Sequence, residues 1–151
     1  MTKVLLVLHV LAAIVAVGPV TVAASMVPPA ARRAGSDAAA VGTVRLLHRI
    51  CRVYSGIGIA VPVLGFATAG AMGVLGSGWL VASIVLTTFA AGLLIAFVLP
   101  RQEELLAQLD ARQPVERSST ARLAMFTGVF NLLWATVTVL MIMRPGSTTG
   151  A

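Results

Sequence analysis

Four apolar stretches organise the chain, and each is long enough to cross a bilayer as a helix. They cover residues 4–27, 53–75, 79–99 and 121–143, and none contains aspartate, glutamate or lysine. A helix needs about 20 mostly apolar residues to cross the hydrocarbon core. The first stretch exceeds the roughly 7–15 apolar residues of a cleaved signal peptide, so we expect it to remain a span. The pattern therefore predicts an all-α transmembrane four-helix bundle that forms one domain, residues 1–151.

Two polar segments next to these stretches also have helical periodicity. In residues 41–54 apolar side chains recur on one face, while Arg45, Arg49 and Arg52 share another. This pattern is typical of an amphipathic helix that either lies along the lipid headgroups or leads directly into the second span. No helix breaker follows Tyr54 at once, which favours a helical extension of the second span. The sequence EELLAQL, residues 103–109, predicts a shorter helical extension after the third span.

Prolines set the expected ends and kinks of the helices. Pro28 and Pro29 predict that the first helix ends there and that residues 30–40 form a loop. Pro62 predicts a kink in the second span, because proline has no N–H to donate and its ring crowds the preceding turn. The final segment PGSTTGA, residues 145–151, predicts a disordered tail.

The distribution of arginines predicts how the spans are threaded. On the side of the bundle where the chain begins and ends, the basic side chains are Lys3 and Arg144. Nine arginines lie in or beside the two longer connections: Arg32, Arg33, Arg45, Arg49, Arg52, Arg101, Arg112, Arg117 and Arg122. Because basic residues flanking spans stay mostly on the cytoplasmic side, we expect both termini outside the cytoplasm. Arg45, Arg49 and Arg52 are then candidates for contact with acidic lipid headgroups.

Composition agrees with a membrane protein. Of 151 residues, 58% are hydrophobic and 11% are charged, whereas a soluble domain has about 25% charged residues. Topology and anionic lipids explain the formal net charge of +6 better than binding of nucleic acid does. The single cysteine, Cys51, excludes an intrachain disulfide. The preference for arginine over lysine is typical of a GC-rich bacterium, which suggests a bacterial inner membrane.

His9 lies inside the first apolar stretch, on a helix face with the small residues Ala12 and Ala16. An ionisable side chain within a span is costly, so it is a candidate functional residue by default. One interpretation is a neutral imidazole that is hydrogen-bonded to a hydroxyl on another helix. Ser83 and Thr138 fall at a similar depth and are the expected partners.

The other interpretation is a cofactor site. Met72 and Met141 fall in the same third of the membrane as His9, and histidine with methionine suits Cu(I) or the iron of haem b. No paired histidine or methionine spacing accompanies them, and methionine is also common in apolar cores. We expect His48 to be interfacial, among the arginines, and too far from His9 to share a metal across a layer about 30 Å thick.

Small and polar residues are predicted to hold the helices together. Gly65, Ala69 and Gly73 recur every four residues, a spacing that lets another backbone approach closely. Asn131, near the middle of the fourth span, needs a hydrogen-bond partner, and such a bond across helices contributes about 1 kcal/mol. The polar residues expected inside the bundle are Ser83, Thr127, Asn131 and Thr138.

Several segments together resemble a bacterial family of predicted four-span membrane proteins that carries a domain-of-unknown-function label. They are LHVLAAIVAVGPVTVA with its histidine, HRICRVY, GWLVASIVL and the LPR that ends the third span. More distantly, the first span is similar to copper-resistance-D-like proteins and to the HemJ-type protoporphyrinogen oxidases. Those relatives imply a haem or copper role for His9. The sequence has neither the intramembrane lysine of the oxidases nor the further histidines of copper-handling proteins.

These observations predict a small, non-enzymatic accessory or structural component of the membrane. Its expected partners are the lipid bilayer and either a second copy or another membrane protein. The spans lack the charged groups that pumps and coupled transporters use, and no nucleotide, hydrolase or zinc motif is present. A haem b or Cu(I) redox protein that uses His9 is the alternative, and passive transport of a small solute is a weaker one.

Overall fold

The structure is a computed structural model that describes residues 1–146, and nearly all of them are helical. Four helices are long and apolar enough to cross a membrane: Thr2–Ala34, Ala38–Met72, Gly78–Asp110 and Arg117–Met143. This confirms the prediction of an all-helical chain with four such helices. Most of the predicted disordered tail, residues 147–151, lies outside the described residues, and Pro145 and Gly146 form a turn.

The first helix, α1, is longer than the prolines predict. It runs from Thr2 to Ala34 with Pro28 and Pro29 inside it, so the expected loop over residues 30–40 is wrong. The connection to the next helix is only Gly35 to Asp37. Burial explains the difference, because the helical residues after the prolines pack into the bundle core and this packing outweighs the lost hydrogen bonds.

The second long helix is divided into α2 (Ala38–Ile57) and α3 (Ala60–Met72). Asp37 caps α2, since its carboxylate accepts a hydrogen bond of 3.0 Å from the backbone N–H of Ala39. The interruption falls at Gly58 and Ile59, one turn before Pro62. Pro62 has no N–H for the Gly58 carbonyl, which accepts from the Val61 N–H instead.

The third long helix changes its winding before Pro100. It comprises α4 (Gly78–Leu93), a π-helical turn (Leu94–Val98) and α5 (Leu99–Asp110). Within the turn the N–H of Leu99 donates to Leu94, five residues earlier. The wider turn accommodates a proline that cannot donate to the carbonyl four residues before it. The helix is therefore continuous where the sequence predicts a span and a separate extension.

The last helix, α6, runs from Arg117 to Met143 and completes a bundle with two distinct ends. We call the end with the two connections at residues 35–37 and 111–116 the arginine end. The opposite end, with both termini and the turn at residues 73–77, is the terminal end. α1 packs against α2, α3 and α6, while α4 packs on α6 and α2 on α5. The large buried core extends from the middle of the bundle to the arginine end.

Candidate functional site

His9 connects α1 to α3 near the terminal end of the bundle. Its Nδ1 lies 2.9 Å from the backbone oxygen of Val61, and the side chain is buried. Because a carbonyl oxygen can only accept, Nδ1 carries the proton, and in the neutral ring Nε2 keeps its lone pair. The predicted hydroxyl partner is therefore wrong. The partner is a backbone carbonyl on the interrupted second helix.

Gly65 makes room for the imidazole. A Cβ at this position would lie 2.9 Å from His9 Cε1, closer than real Cβ contacts. The other two small residues of the predicted row have different surroundings. Ala69 is buried against Trp79 and Leu80, and Gly73 ends α3 in the left-handed region with φ 69°. Gly65 and Ala69 thus provide close contacts within one chain.

The two methionines proposed as further ligands lie nearer the terminal end than the imidazole does. Met72 lies seven residues beyond Gly65, which is about 10 Å along a helix axis. Met141 is half-buried and packs against the cluster around Trp79. Among residues 1–146 there is no group of three histidine, cysteine, aspartate or glutamate side chains that could hold a metal ion.

The polar residues expected inside the bundle have different environments. Ser83 is buried but donates to the Trp79 carbonyl of its own helix, at 2.8 Å. Asn131 Nδ2 donates across helices to Ser25 Oγ, at 3.1 Å, while its Oδ1 is buried without a partner in the described chain. Thr127 is buried, and its hydroxyl likewise has no partner among those residues.

Thr138 does not lie inside the bundle. Its side chain is on the exposed surface of α6, and its hydroxyl donates to the Trp134 carbonyl at 3.0 Å. The expected interior position is therefore corrected. A threonine hydroxyl within a helix can be satisfied by the carbonyl four residues earlier, so it needs no second helix.

Comparison with known proteins identifies the family. A family model described as "Predicted integral membrane protein (DUF2269)" matches residues 3–145, which include all four long helices. The chain belongs to the DUF2269 family. It is therefore an integral membrane protein in contact with the lipid bilayer, from a family whose function is not established. No curated protein and no solved structure is significantly similar to it.

The three α2 arginines of this DUF2269 protein do not share one environment. Arg45 Nη2 lies 2.5 Å from Asp110 Oδ1, and Arg52 Nη1 lies 4.0 Å from Glu103 Oε1. Arg49 is exposed, and none of the ion pairs in the described chain includes it. Exposed ion pairs contribute little stability. These contacts therefore add little to the free energy of unfolding, and their effect is on the orientation of α2 relative to α5.

A buried polar cluster around His48 was missed by the sequence analysis. His48 is buried within the bundle, and its Nδ1 lies 2.8 Å from Gln102 Oε1 on α5. Its Nε2 lies 3.7 Å from Glu103 Oε1, and Gln102 Nε2 donates to Cys51 Sγ at 3.7 Å. Nδ1 is therefore within hydrogen-bonding distance of the Gln102 amide oxygen, whereas Nε2 is only within ion-pair distance of the Glu103 carboxylate.

The position of His48 in the helix was a usable signal. It lies four residues after Val44 and three before Cys51, both fully buried, so helical spacing puts it on the apolar face of α2. Gln102 gave no such signal, because it lies within a charged segment.

Proposed function

We propose that this protein is a small, non-enzymatic structural or accessory component of a bacterial inner membrane. The observation that carries the proposal is the environment of His9. The imidazole uses its N–H on the Val61 carbonyl and packs against Gly65, so it acts as a cross-link between α1 and α3. A buried polar side chain that is used in this way stabilises helix packing within lipid.

The proposed orientation has both termini outside the cytoplasm and the arginine end inside. α1 has 33 residues and is about 50 Å long, while the hydrocarbon core is about 30 Å thick. α1 therefore extends beyond the hydrocarbon core, and the amphipathic face of α2 supports the arginine end as the protruding part. Alkaline phosphatase fused after Ala151 should be active, and the protein should stay in carbonate-washed membranes. A cytoplasmic C terminus would refute this orientation.

The accessory role is tested by native electrophoresis of mildly solubilised membranes. We expect the wild-type protein to migrate as an assembly larger than one chain, either with a second copy or with another membrane protein. Chemical cross-linking before solubilisation distinguishes the two by the mass of the product. A monomer in both experiments would contradict the accessory role.

A haem b or Cu(I) protein that uses His9 is the second candidate. The observation that favours it is the fixed tautomer, because Nδ1–H bonded to a carbonyl leaves the Nε2 lone pair available to a metal. His9 provides one ligand bond through Nε2, and the candidates for a second, Met72 and Met141, both lie nearer the terminal end. Bound haem or copper would supply redox chemistry to the protein.

An absorption spectrum and copper analysis of the purified protein decide between the candidates. A Soret band or bound copper that His9→Ala removes, while His48→Ala retains it, would establish the cofactor. Protein without either signal, purified from cells supplied with haem precursor and copper, would leave His9 with its structural role.

A further inference from the structure

An apolar groove runs along the surface of the third membrane span. It has a volume of about 520 Å³ and is lined by residues 84–97 of α4 and the π-helical turn alone. Its floor consists of Thr88, Gly92 and Ala96, with Phe89 and Phe97 beside it. The Thr88 hydroxyl donates to the Ile84 carbonyl at 2.8 Å, so it offers little polarity to an occupant. Most of the lining residues are exposed on an apolar span, so the groove opens toward the bilayer.

The groove ends beside an arginine that is held by aromatic rings. Phe97 stacks on Phe126 of α6 with centroids 5.1 Å apart. The guanidinium of Arg101, one helical turn after Phe97, lies 5.2 Å from the centroid of the Phe126 ring. Such a cation–π contact fixes the guanidinium plane while leaving its N–H groups for other partners. Arg122 lies one turn before Phe126 and is exposed, which adds positive charge on the same side.

The described acidic side chains form no ion pair with the two arginines near this end, although Glu104 lies three residues after Arg101 and is exposed. The three ion pairs within residues 1–146 use Glu103 and Asp110 with partners on α2. None of them includes Arg101 or Arg122. An anion that approaches the end of the groove therefore meets two guanidinium groups, and no carboxylate is paired with either.

We propose that this site binds one anionic phospholipid, with an acyl chain in the groove and the phosphate on Arg101 and Arg122. Residues 84–97 extend for about 20 Å along the helix, which covers more than one leaflet of a core about 30 Å thick. Guanidinium groups match phosphate oxygens in geometry and charge. The charge at one end of an apolar groove favours a lipid with net negative charge over a zwitterionic lipid or a second protein chain. The site extends the proposed function without depending on it.

Native mass spectrometry of the full chain, released from detergent micelles, tests the proposal. The probes are phosphatidylglycerol and phosphatidylcholine with identical acyl chains. We expect the wild-type protein to retain one phosphatidylglycerol at least about fivefold more than phosphatidylcholine, the factor for one basic residue near a charged surface. Arg101→Gln should reduce retention of phosphatidylglycerol by about the same factor. Gly92→Leu should reduce retention of both lipids, because it fills the floor of the groove.

Arg33→Gln is the matched control, since Arg33 is an exposed arginine at the arginine end that lies on α1 and not on the helices that form the site. It should retain phosphatidylglycerol like the wild type. A Cβ at Gly92 would meet no atom within 4 Å, so the leucine should not disturb the fold. Gly92→Leu acts in the middle of the groove and Arg101→Gln acts at its charged end, and either one suffices if the other does not fold.

Three results would overturn the proposal. The first is equal retention of the two lipids, which would mean that the charge of the headgroup is not recognised. The second is an equal loss in Arg33→Gln and Arg101→Gln, which would indicate diffuse attraction to the whole arginine end. The third is a lipid-free dimer that Gly92→Leu dissociates, because a second copy would then occupy the groove.

Discussion

The arginine end and the terminal end of the bundle are packed in different ways. Toward the arginine end, side chains from all the long helices form one continuous core, in which Val27, Val44 and Leu123 are fully buried. At the terminal end the buried hydrophobic cluster of residues 1–146 consists of Ala69, Trp79 and Leu80. There, the contact between α1 and α3 depends on a histidine, a backbone carbonyl and a glycine.

The proposed topology accounts for the part of the large core that lies beyond the apolar stretches. Helices that extend beyond the hydrocarbon core meet water, where burial of apolar side chains drives packing. Within lipid the surrounding chains are as apolar as the helices, so close contacts and hydrogen bonds have to hold them together. One continuous helix can therefore pack by apolar burial at one end and by close contacts and hydrogen bonds at the other. Mutations at the two ends should have different effects on stability.

Leu123→Ala should have the largest effect. Leu123 is fully buried in the large core, and a leucine-to-alanine change at such a site costs about 2–5 kcal/mol because it leaves a cavity. Leu132→Ala is the control on the same helix, since Leu132 is 70% exposed, and it should change the free energy of unfolding by less than about 0.5 kcal/mol. Equilibrium unfolding in mixed micelles measures both. Equal losses would mean that the large core has no special role.

Gln102→Leu should come next, with a loss of about 2 kcal/mol. Gln102 is fully buried and bonds both His48 and Cys51, so its removal leaves a buried imidazole nitrogen unpaired. The matched control is Gln108→Leu, because the Gln108 Oε1 is buried without a partner in the described chain and little is lost with it. The same unfolding assay applies. A larger loss in the Gln108 variant would contradict the assigned hydrogen bonds.

Gly65→Ala tests the terminal end. The new Cβ forces the His9 ring away from Val61, and overpacking of this kind costs about 1 kcal/mol or somewhat more. The cost should fall in a His9→Ala background, because the imidazole is then absent. Gly70→Ala is the control, since a Cβ there meets no atom within 4 Å. A cost that is unchanged by His9→Ala would show that the two residues are not coupled.

The sequence predicts the membrane spans better than it predicts the ends of the helices. The four spans follow from hydropathy, because length and apolar composition alone decide whether a helix can cross a bilayer. The continuation of α1 past Pro28 and Pro29 could not be predicted from local rules. It depends on the packing of the following residues against helices distant in sequence, which only the folded chain provides.

Among the candidate site residues, sequence identified His9 and Gly65 for separate reasons. The structure joins them, since the glycine is where the imidazole packs. The Val61 carbonyl could not be predicted, because nothing in the identity of a residue marks its backbone oxygen as a hydrogen-bond acceptor. His48 was placed with the arginines that surround it in sequence, although its helical position aligned it with the apolar face of α2.

Asn131→Leu should have the smallest effect of the series, although Asn131 joins α6 to α1. Its bond to Ser25 is of a kind that contributes about 0.6 kcal/mol on average in membranes. The substitution also removes the buried Oδ1, which has no partner in the described chain, and the two changes should cancel to within about 0.5 kcal/mol. Ser25→Ala should cost more, because it leaves the amide of Asn131 unpaired. Combining both substitutions should restore the stability of Asn131→Leu alone, and a double variant as unstable as Ser25→Ala would show that Ser25 stabilises the bundle by another contact.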